Sequence, residues 1–411
     1  MTQATAASAP SASTLSLPRD ALCRVLAALI GEESGRAQTG PAWSEATPID
    51  EDGAGVDSVS RLGVAARVSE FFDLAPFGLD DPLLLAPRLG DWIDIVEHRL
   101  ASGPAVITVR TSGTTGTPRA CPHRAEHLIA EVSAPGALQG SGRIFSTVPP
   151  HHIYGFLFTV LAPALLDRPM LSARNRMPGS LLAETRAGDV IVATPHFWHG
   201  LLGHGRASVH ALHGVSAGSP LDDELLAQAR AAGIDLQDTY GASETGGIGR
   251  RSAPGAFALM PHLAWAEDGV TLRRRHDRST VDPPDCLERV GHGFRLGTRL
   301  DGALSVAGVT VDPAKVGRIL LDEDGVAACA VRLDRSRRPA RLAATVVPHR
   351  GAEEAALKAR LEQRCTALLR APERPITFDF AETLPLSPMG KPLGWQGTSD
   401  RGIHLTSRLT P

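Results

Sequence analysis

The ten residues from Thr108 to Thr117 hold six Ser/Thr hydroxyls and two glycines, and Pro118 and Arg119 follow them. Such a stretch packs little and donates much. Glycines let backbone N–H groups approach an anion and hydroxyls add further donors, a combination suited to phosphate. The run follows a short apolar segment, "AVITV", so the loop leaves the end of an expected strand. A plain surface loop is the competing reading of these residues taken alone. The Walker phosphate loop is excluded, because Gly113 and Gly116 stand too close together and no Lys-Ser/Thr pair follows.

Other segments carry chemistry as well. They are "PPHHIYGF" (149–156), "SAGSPL" (216–221), "DTYGASETGG" (238–247), "DCLERVGHGFRLGTR" (285–299) and "LSPMGKPL" (386–393). Lys391 in the last is one of three lysines set against 39 arginines, so it was not drawn from an abundant pool. His151 and His152 invite a metal reading, yet adjacent histidines project differently and no third ligand is evident; metal is not expected there.

In this order, "TSGTTGTPR" and the later segments resemble the signatures of adenylate-forming enzymes: acyl- and aryl-CoA synthetases, peptide-synthetase adenylation domains and luciferases. The family loop usually ends in Pro-Lys. Here Pro118-Arg119 keeps the positive charge, as a planar fork instead of a point charge. The resemblance implies that Thr111, Ser112, Gly113, Thr114, Thr115, Gly116 and Arg119 wrap the phosphates of ATP. It places the turn of Gly218 and the ring of Tyr240 against adenine, Gly241 among the nucleotide-binding residues, Ser243 on phosphate and Glu244 on Mg²⁺. Asp285 would accept from both ribose hydroxyls with Arg299 nearby, and Asp301 would be a hinge. Lys391 would drive adenylation, while His152, Tyr154 and Phe156 would line an acyl channel. Lys391, Glu244 and His152 are therefore the expected catalytic residues. Residues 272–278, "LRRRHDR", read as a solvated basic face or, failing that, an attraction for the phosphates of CoA.

These residues need a scaffold. "DALCRVLAALI" places Leu22, Val25, Leu26 and Leu29 on one helical face. "DSVSRLGVAARVSEFF" begins at a capping Asp57 or Ser58, with Val59, Leu62, Ala66 and Phe72 expected inward. "GDWIDIVEHRL" puts Trp92, Ile93, Val96 and Leu100 together. After residue 104, β-rich runs ("RIFSTV", "DVIVATP") alternate with helical patterns such as "PLDDELLAQARAAG", which predicts layered α/β structure with largely parallel strands. The expected organisation is a disordered arm (1–14), a small helical bundle (15–102), a large α/β adenylation domain (103–298) and a mobile small α+β C-terminal domain (299–411).

The bundle carries a second resemblance. "GVDSVSRL" (55–62) is similar to the Asp-Ser-Leu site of acyl carrier proteins, where the serine carries phosphopantetheine. Ser58 is then an attachment site, or Asp57-Ser58 merely caps a helix. Compact aryl-CoA ligases, including bacterial 4-coumarate–CoA ligases, share so short a region before the loop.

Composition excludes other classes. A net charge of -3 argues against nucleic-acid binding. Five scattered cysteines without a CxxC pair argue against disulfides or a zinc site, and fit a reducing cytoplasm. The N-terminus lacks the features of a signal peptide, and the apolar run at 153–166 is too short to span a membrane. The expectation is a cytoplasmic ATP- and Mg²⁺-dependent ligase joining an aromatic, 4-coumarate-like acid to CoA. Loading of a carrier thiol, its own Ser58 included, and a non-catalytic module with a degenerate adenylation domain remain as alternatives.

Overall fold

A computed structural model describes residues 14–35, 43–111, 118–203, 211–299, 304–306, 309–334, 336–337, 339–384 and the backbone of 403–407. The chain opens with helices α1 (Arg19–Glu33), α2 (Ser58–Phe72), α3 (Asp80–Leu85) and α4 (Leu89–Ala101). Strands β1 (Val106–Arg110) and β2 (Ala120–Arg124) then form an antiparallel hairpin, followed by helix α5 (Ala125–Val132).

The middle of the chain runs β3 (Ile144–Ser146), α6 (Ile153–Phe156) continued through a π turn into α7 (Ala162–Leu166), β4 (Met170–Ser172), α8 (Pro178–Glu184), β5 (Val190–Ala193), α9 (Pro195–Leu202), β6 (Leu212–Ser216), α10 (Asp223–Ala231), β7 (Ile234–Ala242), β8 (Gly246–Arg251) and β9 (Ala258–Leu259). These strands make a seven-stranded sheet of order β4-β3-β5-β6-β7-β8-β9. It is parallel through β7 and antiparallel beyond.

Smaller sheets follow: β10 (Leu263–Trp265), β11 (Leu272–Arg274) and β12 (Thr280–Val281), then the hairpin of β13 (Asp285–Val290) with β14 (Gly293–Arg299). The C-terminal part has β15 (Leu304–Val306), β16 (Val309–Val311), α11 (Pro313–Leu321), β17 (Val326–Asp334), β18 (Arg341–Pro348), α12 (Glu354–Leu368), β19 (Thr377–Phe380) and β20 (Ile403–Ser407). Its four-stranded sheet, β19-β18-β17-β20, shares a separate core with α11 and α12.

Alternation along β5 shows how the parallel sheet is covered. Val190 and Val192 join a core with the N-terminal helices, while Ile191 and Ala193 face Trp198, Leu201 and Leu225 on the opposite side. All four are buried, as both faces of a parallel strand must be. The N-terminal helices have no core of their own. Leu22, Leu26, Phe71, Trp92 and Ile93 belong to one cluster with Ile107, Phe156 and Val215.

Helices α1 and α4 bury the faces their periodicity predicts. Helix α2 does not. Asp57 caps it, its carboxylate accepting from Val59 N (3.1 Å) and Ser60 N (2.7 Å). Val59, Leu62 and Ala66, expected inward, are exposed; the buried face is Val64, Ala65, Arg67, Val68, Phe71 and Phe72. At ~100° per residue the helix carries two apolar stripes, and Phe72 lies about 140° from Val59. The stripe with both phenylalanines removes more apolar area from water and wins. Phe156, expected in an acyl channel, is also core: fully buried and edge-on to Phe71 at 5.8 Å.

Candidate active site

Two hydrogen bonds close the foot of the hydroxyl-rich loop. Thr111 N donates to Arg119 O (2.9 Å), and Arg119 N donates to Thr111 Oγ1 (3.0 Å). Strand pairing next to this foot thus brings residues eight apart in sequence together. Ser112, Gly113, Thr114, Thr115 and Gly116 lie outside the described residues, as do Asp301 and Lys391.

Across from this foot stands the turn joining β7 to β8. Arg119 reaches Glu244, Nη2 to Oε1 3.6 Å, with the side chains 74% and 37% exposed. So open an ion pair is worth little and separates easily, leaving both groups available to a ligand. The turn itself is held firmly. His123 of β2, buried, hydrogen-bonds Ser243 O through Nε2 at 2.7 Å. Ala242 N donates to Thr245 Oγ1 (3.1 Å), and Gly247 N donates to Glu131 Oε1 (2.9 Å). Gly246 has φ +72°, and a Cβ on Gly241 would sit 2.2 Å from Gly246 O, so neither position admits a side chain without rearrangement.

The other end of this segment carries Tyr240, where the β7–β8 register shifts. Its hydroxyl donates to Asp285 Oδ2 at 2.7 Å. Burial, with Asp285 beside it, pushes the phenol well above its ordinary pKa, so it remains a donor. The ring packs edge-on to Phe257 (6.0 Å) and Phe294 (5.7 Å). Asp285 faces Arg299 across the β13–β14 hairpin. Gly218, exposed with φ +90°, follows β6.

His152 belongs to a third group. It precedes α6 and is pushed down to about 4 by burial and by neighbouring His151, which keeps it a neutral imidazole. Tyr154, partly exposed, follows two residues later. Its hydroxyl donates to Val215 O (2.6 Å), anchoring this segment to the end of β6. Residues 273 and 275–278 are exposed, as a solvated face requires, but half-buried Arg274 turns inward to Thr245 O at 3.4 Å. Ser58 is exposed in the first turn of α2.

The profile of the AMP-binding enzyme family matches residues 94–273. The chain is 40% identical over 390 residues to the 4-coumarate–CoA ligase of Rhodobacter capsulatus, covering 90% of this chain and 99% of that one. The chain belongs to the AMP-binding enzyme family. Within it, the chain is an ATP-dependent, AMP-forming acid–CoA ligase. The 4-coumarate–CoA ligase of Halorhodospira halophila is 33% identical over 91% of this chain and 99% of its own. Among solved structures, the fold is similar to an amide bond synthetase from Marinactinospora thermotolerans (TM-score 0.58, 18% identity, 91% and 92% of the two chains). It is similar also to o-succinylbenzoate CoA synthetase from Bacillus subtilis (TM-score 0.56, 18% identity, 70% and 67%). No described helix is long and apolar enough to cross a membrane.

In this AMP-binding enzyme, two residues the motifs did not reveal support the candidate site. His123 and Glu131 both hold the Ser243–Gly247 turn. Burial pushes the Glu131 carboxyl up to about 7, the Gly247 N–H offsetting part of the cost. A signal existed: on α5, Glu131 shares the buried face of Ala125, Leu128 and Val132, where a lone carboxyl is out of place.

Proposed function

We propose that this ligase activates an aromatic acid of the 4-coumarate type as its acyl-AMP and passes the acyl group to CoA, in the cytoplasm. The observation that carries the reading is the single segment Tyr240–Glu244. It meets Asp285 at one end and the loop-foot Arg119 at the other, as nucleotide and phosphate contacts would require. The substrate class rests on likeness to the 4-coumarate–CoA ligases.

In the first step the acid's carboxylate oxygen bonds to the α-phosphorus of ATP and pyrophosphate leaves. Thr111 to Arg119 surround the phosphates, Tyr240 packs on adenine beside Gly218 and Gly241, and Asp285 with Arg299 holds the ribose. Ser243 donates to phosphate. Lys391 bridges the carboxylate and the α-phosphate, where negative charge builds in the transition state. Glu244, an exposed oxygen ligand, fits Mg²⁺, which when bound neutralises charge on the leaving pyrophosphate. His152, neutral, offers a hydrogen bond beside the acyl group without a competing charge. In the second step the CoA sulfur bonds to the acyl carbonyl and AMP leaves, with the C-terminal domain turning about Asp301 between steps.

The test is incubation with ATP, Mg²⁺ and a panel of aromatic and fatty acids, with and without CoA, followed by mass spectrometry. An aromatic acyl-CoA with AMP is expected. Acyl-AMP that accumulates in the presence of CoA, or an acyl group carried on the protein itself, would contradict the CoA assignment.

A further inference from the structure

The helices before the loop bring charge to both substrates' sites. Arg110, the last residue of β1 and the neighbour of Thr111, donates through Nε to Glu70 Oε2 at 2.6 Å. The same Glu70 oxygen accepts from Arg67 Nη1 at 3.2 Å. Arg67 is 2% exposed, and its Nε lies 3.8 Å from Glu32 Oε2 on α1. That Glu32 oxygen in turn faces His151 Nε2 at 3.3 Å, and the His151 ring lies 4.5 Å from the ring of His152. One chain of contacts therefore runs from the foot of the phosphate loop, through α2 and α1, to the histidine beside the acyl group.

A simpler use of Glu32, His151 and His152 would be as metal ligands, since their donor atoms lie within 4.8 Å of one another. Arg67 speaks against it: a buried guanidinium stands beside the very oxygen that would bind the cation. Nor is the chain explained as packing alone. Burying a charged side chain is poor value for stability compared with an apolar residue of the same volume, yet Arg67 is buried over the Phe71 ring, 5.6 Å from its centroid, while its partner Glu32 stays exposed. What charge adds is direction. Glu70 fixes where Arg110, and with it the loop foot, leaves the sheet; Glu32 fixes the rotamer of His151.

We propose that Arg67 is a positioning residue for adenylation, tying the phosphate loop (through Glu70 and Arg110) to the acyl segment (through Glu32 and His151). The inference rests on the ligase reading above. It gives the N-terminal helices a function that neither a carrier nor a passive cap supplies: setting ATP and acid in register before lysine acts.

Three variants test it, read by calorimetric ATP binding and by KM against kcat. Misplacement of about 1 Å far from the chemistry can cost up to ~100-fold, so shifts on the order of tenfold are expected. Arg67→Met should weaken ATP binding and raise both KM values about tenfold, with Arg67→Lys recovering part of each. Glu70→Gln should raise KM for ATP alone, and Glu32→Gln KM for the acid alone. A variant Arg67→Met that loses thermal stability yet binds ATP as wild type does would overturn the proposal. Should that variant not fold, the glutamine variants decide: equal effects of both on both substrates would overturn it. A wild-type protein that binds no ATP would refute the ligase reading instead.

Discussion

The proposed nucleotide side and the proposed acyl side of this site are built in opposite ways. On the nucleotide side, short contiguous segments meet through backbone hydrogen bonds at the Thr111–Arg119 pair, through the glycines flanking Glu244, and through the Tyr240 hydroxyl on the Asp285 carboxylate. The Arg119–Glu244 ion pair there is open to solvent. On the acyl side, Tyr154 is locked to β6, and His151 leans on a glutamate from a helix more than a hundred residues earlier. Charge is exposed where a charged ligand must enter. Where a neutral aromatic body is expected it is paired, the buried His151 against an exposed Glu32. The first arrangement leaves electrostatics free for the substrate; the second spends it on holding the wall.

Perturbations should separate the two sides, beginning with the chemistry they share. Lys391→Ala should slow adenylation by ~10²–10³, the loss typical of removing one transition-state donor, while transfer from preformed acyl-AMP to CoA persists. Equal loss in both half-reactions would remove Lys391 from the first step. Asp285→Ala deletes the acceptor of Tyr240, and KM for ATP should rise about tenfold, consistent with a charged hydrogen bond worth ~1.5–3 kcal/mol. An unchanged KM for the acid would confine that residue to the nucleotide side; a shift of both would blur the comparison.

Glu131 gives a smaller, pH-dependent effect. Its folded pKa is raised from 4.5 to about 7, chiefly by burial. The folded state therefore holds a proton the unfolded state has lost, and the associated stability is fully present below pH 4.5 and lost as pH rises through about 7. Glu131→Gln keeps an acceptor for Gly247 N without a charge. Its thermal midpoint relative to wild type should climb between pH 5 and 8, reaching on the order of 3 kcal/mol of relative stabilisation. A pH-independent difference would mean the carboxyl is paired when charged. Least of all, Ser58→Ala should leave ligation unchanged and stability within ~0.5 kcal/mol. A dead enzyme would return the first turn of α2 to the site.

Contiguity also decided what was legible in the sequence. The leucine spacing of α1, the Trp92–Leu100 face of α4, the apolar runs of β1 and β5 and the motif around Tyr240 each carry their signal within a dozen residues. Helix α2 was legible as a helix but not by face, because choosing between two apolar stripes needs the neighbours each would meet. Contacts between distant residues were silent. His123 meets Ser243 across 120 positions, Glu131 meets Gly247 across 116, and Glu70 meets Arg110 across 40. The third partner that the two histidines lack in sequence is Glu32, which only the packing of α1 supplies.

Pyrophosphate–ATP exchange tests the central claim most directly, because it reports the acyl-adenylate step without requiring a thiol. With 4-coumarate or a related aromatic acid and Mg²⁺, exchange should appear in the absence of CoA and should vanish when the acid is omitted. No exchange with any acid, from a protein that still binds ATP, would contradict the account.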